Sequence, residues 1–124
     1  MAIEQDYLLR QIKGVAKVIA QILFHRESFD YVLPENGNYS EFDNLFLKLN
    51  SMLENNEINE AENLLFEHID GKNPVYLQIA LSFYETLAKK PEKVLTENNF
   101  SKAEIEQGFL DVLELYNIKV ERKK

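Results

Sequence analysis

Five serines and two histidines are the side chains of this chain from which nucleophilic or metal chemistry would be built: Ser28, Ser40, Ser51, Ser82 and Ser101, with His25 and His68. A nucleophilic serine needs a base beside it, and none of these lies in a Gly-x-Ser-x-Gly elbow. Ser40 and Ser101 stand instead where helix caps belong. Gly14, Gly37, Gly71 and Gly108 are too far apart for a phosphate-cradling loop. A helical di-metal centre uses Glu-x-x-His, but Ile22 precedes His25 and Leu65 precedes His68 by three residues. Without Cys, neither a thiolate zinc site nor a disulfide framework is open to the chain. Zinc held by the two histidines and carboxylates would have no spacing to support it. His68 falls in the last turn of its helix, where a charged imidazole favours the helix dipole. The expectation is therefore no catalytic residue, no metal and no cofactor.

Carboxylates are plentiful. Residues 27–70 hold eleven acids against Lys48 alone, a net 1 − 11 = −10. Such a run is either a docking surface for a basic partner or cations, or a solvated face that keeps the protein soluble. No Asp-x-Asp-x-Asp-Gly loop marks it for calcium.

The elements that position these groups are helices. Residues 5–26 read as one long helix, on which Leu8, Ile12, Val15, Ile19 and Ile22 cluster within about 80° of the wheel. Leu9, Ala16, Val18, Ala20 and Leu23 widen the apolar arc to about 200°, against the ~100° stripe of an ordinary surface helix. Arg10, Lys13 and Lys17 form the opposite stripe, and residues 7–26 carry no acid. Leu33-Pro34-Glu35-Asn36-Gly37 stacks turn signals.

Further helices are expected at 41–54, 57–69, 74–89 and 101–116. Ser40 with Asp43 is an imperfect capping box, and Ser101 with Glu104 a good one. Gly71 reads as the left-handed residue ending the third helix, and Asn73-Pro74 as N-cap and first residue of the fourth. That fourth helix is apolar nearly all round and so belongs at the centre. A short helical turn is expected over Glu92–Leu95, and fraying over 120–124. The tyrosines suit core edges with their hydroxyls in water, although Tyr76, Phe83 and Tyr84 could also line a ligand pocket. The expected fold is all-α: one domain over 1–124, with five or six helices in antiparallel hairpins and a helical body over 39–118.

Two stretches carry resemblances. Ile58-Asn59-Glu60-Ala61-Glu62 through Asn73-Pro74 resembles the second helix and exit of a tetratricopeptide repeat, with Ala61 as the small residue at the helix crossing. Leu49 and Met52 depart from that pattern in the helix before. Glu54-Asn55-Asn56 and the following Ala61 are echoed by Glu97-Asn98-Asn99 and Ala103, an offset of 103 − 61 = 42 residues against the 34 of that repeat. The start, Glu4-Gln5-Asp6-Tyr7-Leu8-Leu9-Arg10-Gln11-Ile12, is similar to a family of short helical Firmicute proteins known as a domain of unknown function. That resemblance implies a bacterial, cytoplasmic origin and transfers no activity.

Composition bounds what remains. The 124 residues are 45% hydrophobic and 28% charged with a net charge of −7, enough apolar content for a core and the wrong sign for general nucleic-acid binding. The acidic N-terminus is unlike a secretory signal. Val15 to Phe24, broken by Lys17 and Gln21, falls short of a membrane span. A cytoplasmic protein is the expectation. The functional expectation is a non-enzymatic interaction module that self-associates through Leu8, Ile12, Val15, Ile19 and Ile22, whose 4, 3, 4, 3 spacing is a heptad seam, and through Leu23 on its flank, with the rest of the apolar arc packed on the chain's own helices. A protein partner could share this role. The alternatives are a peripheral membrane-surface adaptor using the same basic amphipathic helix, and a small-molecule-binding helical domain.

Overall fold

The computed structural model of the protein describes residues 2–23 and 31–119 and, within the first helix, the side chains from Tyr7 to Ile22. Six helices succeed one another among these residues: α1 (Ala2–Leu23), α2 (Glu41–Glu54), α3 (Ile58–His68), α4 (Pro74–Ala88), α5 (Glu92–Glu97) and α6 (Lys102–Leu115). The fold is all-α. The first helix starts three residues earlier than its apolar pattern suggests. Its expected end at 24–26, with His25 and Arg26, lies outside the described residues, as does the expected fraying at 120–124.

Local chemistry explains the boundaries. Ser40 and Asp43 form a complete capping box, with Ser40 Oγ accepting from Asp43 N at 3.2 Å and Asp43 Oδ2 accepting from Ser40 N at 2.8 Å. Asn73 Oδ1 accepts from Val75 N at 2.9 Å, with Pro74 as the first helical residue. Ser101 Oγ accepts from Glu104 N at 3.2 Å. Each satisfies a donor that the first turn of a helix leaves orphaned.

The ends of α2, α5 and α6 follow one rule that the sequence shows only as an echo. Asn56, Asn99 and Asn117 have φ of 59°, 57° and 59°. The next residue's N–H then reaches back five positions, from Glu57 to Met52 O, Phe100 to Leu95 O and Ile118 to Leu113 O. This is the Schellman geometry, with asparagine where glycine is commonest. The likeness of Glu54-Asn55-Asn56 to Glu97-Asn98-Asn99 is a shared helix stop.

Gly71 requires a correction. Its φ is not among the positive values, and α3 ends at His68 with Ile69 extended. The reversal is made by Asp70, whose Oδ1 accepts from Lys72 N at 2.8 Å and Asn73 N at 2.9 Å. Glycine is needed for closeness: a Cβ at position 71 would collide with the Leu115 carbonyl at the end of α6. Tyr116 Oη, donating to Asn73 O at 2.6 Å, ties the same loop to α6.

The centre is α4, which packs against α1, α2 and α6, while α3 packs on α2 and α1 also touches α6. Leu77, Ile79, Ala80, Leu81, Phe83, Tyr84, Leu87 and Ala88 are all buried along it. Leu45, Leu49 and Leu53 face it from α2, Ile105, Phe109, Val112 and Leu113 belong to α6, and Leu95 and Phe100 close one end of the core.

Candidate functional site

α1 presents two faces of different fate. Leu8, Ile12, Ala16, Ile19 and Ala20 are buried against the chain's own core. The sequence shares this helix between its own core and a second copy, with Leu8, Ile12 and Ile19 in the seam; the structure buries those three on the side of α1 that packs on α4 and α6. Their spacing is that of any helix burying one face, and α4, apolar on all sides, needs the cover. Val15 is half-buried, Ile22 is 65% exposed, and the Leu23 side chain lies outside the described residues.

The outer face carries the surplus. Tyr7, Val18 and Ile22 are each more than half exposed and fall with Gly14 within about 80° of the helical wheel. A Cβ at Gly14 would meet nothing among the described residues. Arg10, Lys13 and Lys17 lie exposed on one side of this stripe. Lys13 Nζ stands 3.9 Å from Glu85 Oε2 of α4, and Arg10 also has an interaction within the chain. The charge of this face is thus partly balanced by its own fold. Gln11 falls inside the same arc, between Val18 and Ile22, and its Oε1 is buried without a hydrogen-bond partner among the described residues.

The other candidate groups are placed differently. Phe83 and Tyr84 are buried and meet edge to face at 5.1 Å. Tyr76 instead borders a groove of about 290 Å³ with Glu41, Asn44, Lys48, Leu64 and His68, so the three aromatics line no common pocket. Three tyrosine hydroxyls expected in water are bonded inside the chain: Tyr31 to Asp43 Oδ1, Tyr84 to Glu62 Oε2 and Tyr116 to Asn73 O, each at 2.6 Å. Desolvation and the adjoining carboxylates Asp43 and Glu62 push the Tyr31 and Tyr84 hydroxyls far up, so both remain donors.

The acidic run divides as well. Asp43 is buried, and the Tyr31 hydroxyl together with the Ser40 N–H holds it below its ordinary range. Glu62 is half-buried between α3, α4 and α6, beside a cleft of about 350 Å³ that Glu104 and Asp111 also line. Burial raises its carboxyl above the usual value, the Tyr84 hydrogen bond opposes that, and Glu104 and Asp111 add to the rise. Gly108 makes the room, since a Cβ there would run into both the Tyr84 hydroxyl and the Glu62 carboxylate. Glu35, Glu41, Glu54, Glu57, Glu60, Glu67 and Asp70 are exposed. Among the described residues no group of three or more acids and histidines is placed to hold a metal ion. No described helix is long and apolar enough to cross a membrane.

Sequence reasoning reached Ile22 but missed Tyr7, Val18 and Gly14, because it followed the longest apolar seam, and Leu8, Ile12 and Ile19 of that seam are core. The usable signal was Gly14, an interior helical glycine bracketed by apolar residues at positions 7, 18 and 22. The molecule is thus a helical domain whose accessible apolar surface on α1 lies on a helix face. By sequence the chain belongs to a family of unknown function, DUF6483, whose pattern matches residues 2–117. No curated protein and no solved structure matches it.

Proposed function

We propose that the chain is a non-enzymatic helical interaction module that self-associates through the outer face of α1. One observation carries this reading. A helix whose inner face already covers α4 still exposes Tyr7, Val18 and Ile22 on one stripe, with Gly14 in their midst. A mid-helix glycine costs roughly 0.5–1 kcal/mol relative to alanine, and among the described residues Gly14 makes no close contact that would require it. A second helix backbone crossing at Gly14 supplies such a reason. An antiparallel pair centred between Gln11 and Gly14 sets the Tyr7 ring of each copy against Val18 of the other, because both lie the same distance from that centre. The patch is small beside the ~800 Å² per partner of a standard interface, so the expected dimer is weak and exchanging.

Sedimentation equilibrium from micromolar to near-millimolar concentration tests this. The expected result is a mass rising above 14.5 kDa with concentration, and a return to the monomer in Val18→Glu and Ile22→Glu. A 14.5 kDa species throughout, or a dimer untouched by both substitutions, overturns it. Lys17 beside the exposed stripe gives the membrane-surface alternative its one support. Flotation with anionic vesicles that Lys17→Glu abolishes would favour that reading.

A further inference from the structure

The turn signals at Asn36-Gly37 belong to none of the roles above. We propose that Asn36 is a site of spontaneous covalent modification, in which its side-chain amide is lost to attack by the backbone nitrogen of Gly37.

The geometry favours this chemistry at this asparagine. Asn36 and Gly37 are both exposed at the tip of the 34–37 turn. Asn38 N donates to Asn36 Oδ1 at 2.9 Å, which folds the side chain forward along the chain, over the peptide it must meet, and polarises its amide carbonyl. Gly37 N reaches Pro34 O at a long 3.5 Å, so the attacking nitrogen is weakly held. Gly37 has φ of 75° and open space where a Cβ would stand, and nothing crowds the approach.

Other asparagines lack these conditions. Asn56 and Asn99 precede Glu57 and Phe100, whose N–H groups bond back to Met52 and Leu95 at 2.8 and 2.9 Å and whose side chains crowd the nitrogen. Asn44, Asn50 and Asn63 lie inside helices, where the following nitrogen is part of the helical ladder.

In the reaction, the Gly37 nitrogen loses its proton to solvent base and bonds to Asn36 Cγ. The Cγ–NH₂ bond breaks and ammonia leaves, giving a five-membered succinimide. Water then opens either carbonyl, to an aspartate or an isoaspartate at position 36, with no oxidation or reduction. The segment is held at both ends, so the extra backbone atom of an isoaspartyl residue is confined to the exposed tip. Tyr31 Oη donates to Asp43 Oδ1 at 2.6 Å and Ser40 N to Asp43 Oδ2 at 2.8 Å. Either product adds one negative charge next to Glu35.

The test is peptide mapping by mass spectrometry of the full chain, aged folded and in urea at mildly alkaline pH. In the folded protein the peptide containing Asn36 is expected to gain one mass unit and split into two products. One of them accepts methyl groups from an isoaspartyl methyltransferase, while Asn56 and Asn99 stay intact. The folded rate is expected to match or exceed the denatured rate at this position. Gly37→Ala is expected to slow the loss by about tenfold, because a Cβ keeps the nitrogen from its near-attack position. Retention of the Asn36 amide in the folded chain while the denatured chain loses it overturns the proposal. Equal reaction at Asn56 or Asn99 in the folded chain does the same.

Discussion

Glu62 is the residue at which burial and charge act against each other. It accepts a 2.6 Å hydrogen bond from Tyr84, a side chain with no exposed surface. Breaking that pair from the tyrosine side leaves a half-buried carboxylate without its donor, so Tyr84→Phe is expected to cost about 1–3 kcal/mol, measured by urea unfolding. The pH dependence has a definite sign. The Glu62 carboxyl is raised in the folded state above its ordinary value of about 4.5, so the native chain binds this proton more tightly than the unfolded chain does. Stability from this group is therefore full below that ordinary value and lost as pH rises through the raised one. Glu62→Gln keeps an oxygen for Tyr84 and removes the charge beside Glu104 and Asp111. The variant is expected to gain stability relative to the parent as pH rises from 4.5 towards neutrality. A difference in melting temperature that stays flat over that range contradicts the assignment. Asp43 works in the opposite direction: Tyr31 and Ser40 depress it, and its contribution is lost only as pH falls below its ordinary range.

The loop between α3 and α4 shows what a glycine can mean at the level of an element. At a left-handed cap, asparagine substitutes readily, as Asn56, Asn99 and Asn117 demonstrate in this chain. At Gly71 the constraint is the Leu115 carbonyl, which any Cβ meets. Gly71→Asn is therefore expected to be as harmful as Gly71→Ala, each by roughly 1–3 kcal/mol for a forced backbone shift. Chemical denaturation of the two variants checks this, and a tolerated asparagine would restore the left-handed reading. The same loop marks the limit of sequence inference. Ser40, Asn73-Pro74 and Ser101 were legible because a cap acts within three residues and leaves a local pattern. The central place of α4 was legible because an all-round apolar helix must be enclosed. Gly71 against Leu115, Gly108 against Tyr84 and the internal bonds of Tyr31 and Tyr116 were not, because each joins positions far apart in sequence or turns on packing that periodicity does not contain. The face of α1 that remains outside belongs with these: the wheel supplied the width of the apolar arc, but only the position of α4 and α6 decides which part of it stays in water.

At the scale of the whole molecule, α1 is both a wall of the core and the carrier of an exposed stripe, and the two roles separate by substitution. Ile12 is fully buried against the core, whereas Ile22 on the same helix is 65% exposed. A charge at Ile12 must be desolvated with no partner designed for it, and the methylenes it replaces leave a gap against the core. Ile12→Ala is expected to cost about 2–5 kcal/mol through transfer and cavity terms, and Ile12→Glu more, through the additional cost of a buried unpaired charge. Ile22→Glu changes a water-facing position and is expected to stay within about 0.5 kcal/mol of the parent. Equilibrium unfolding at low micromolar concentration, where a weak dimer is dissociated, reads these costs for the monomer alone. The parent, Ile12→Ala and Ile22→Glu at high concentration then read association: the parent and any folded Ile12→Ala should still pair, and Ile22→Glu should not. Loss of folding in Ile22→Glu would mean that the outer stripe is part of the core after all. Loss of association in a folded Ile12→Ala with association kept in Ile22→Glu would return the contact between copies to the inner seam.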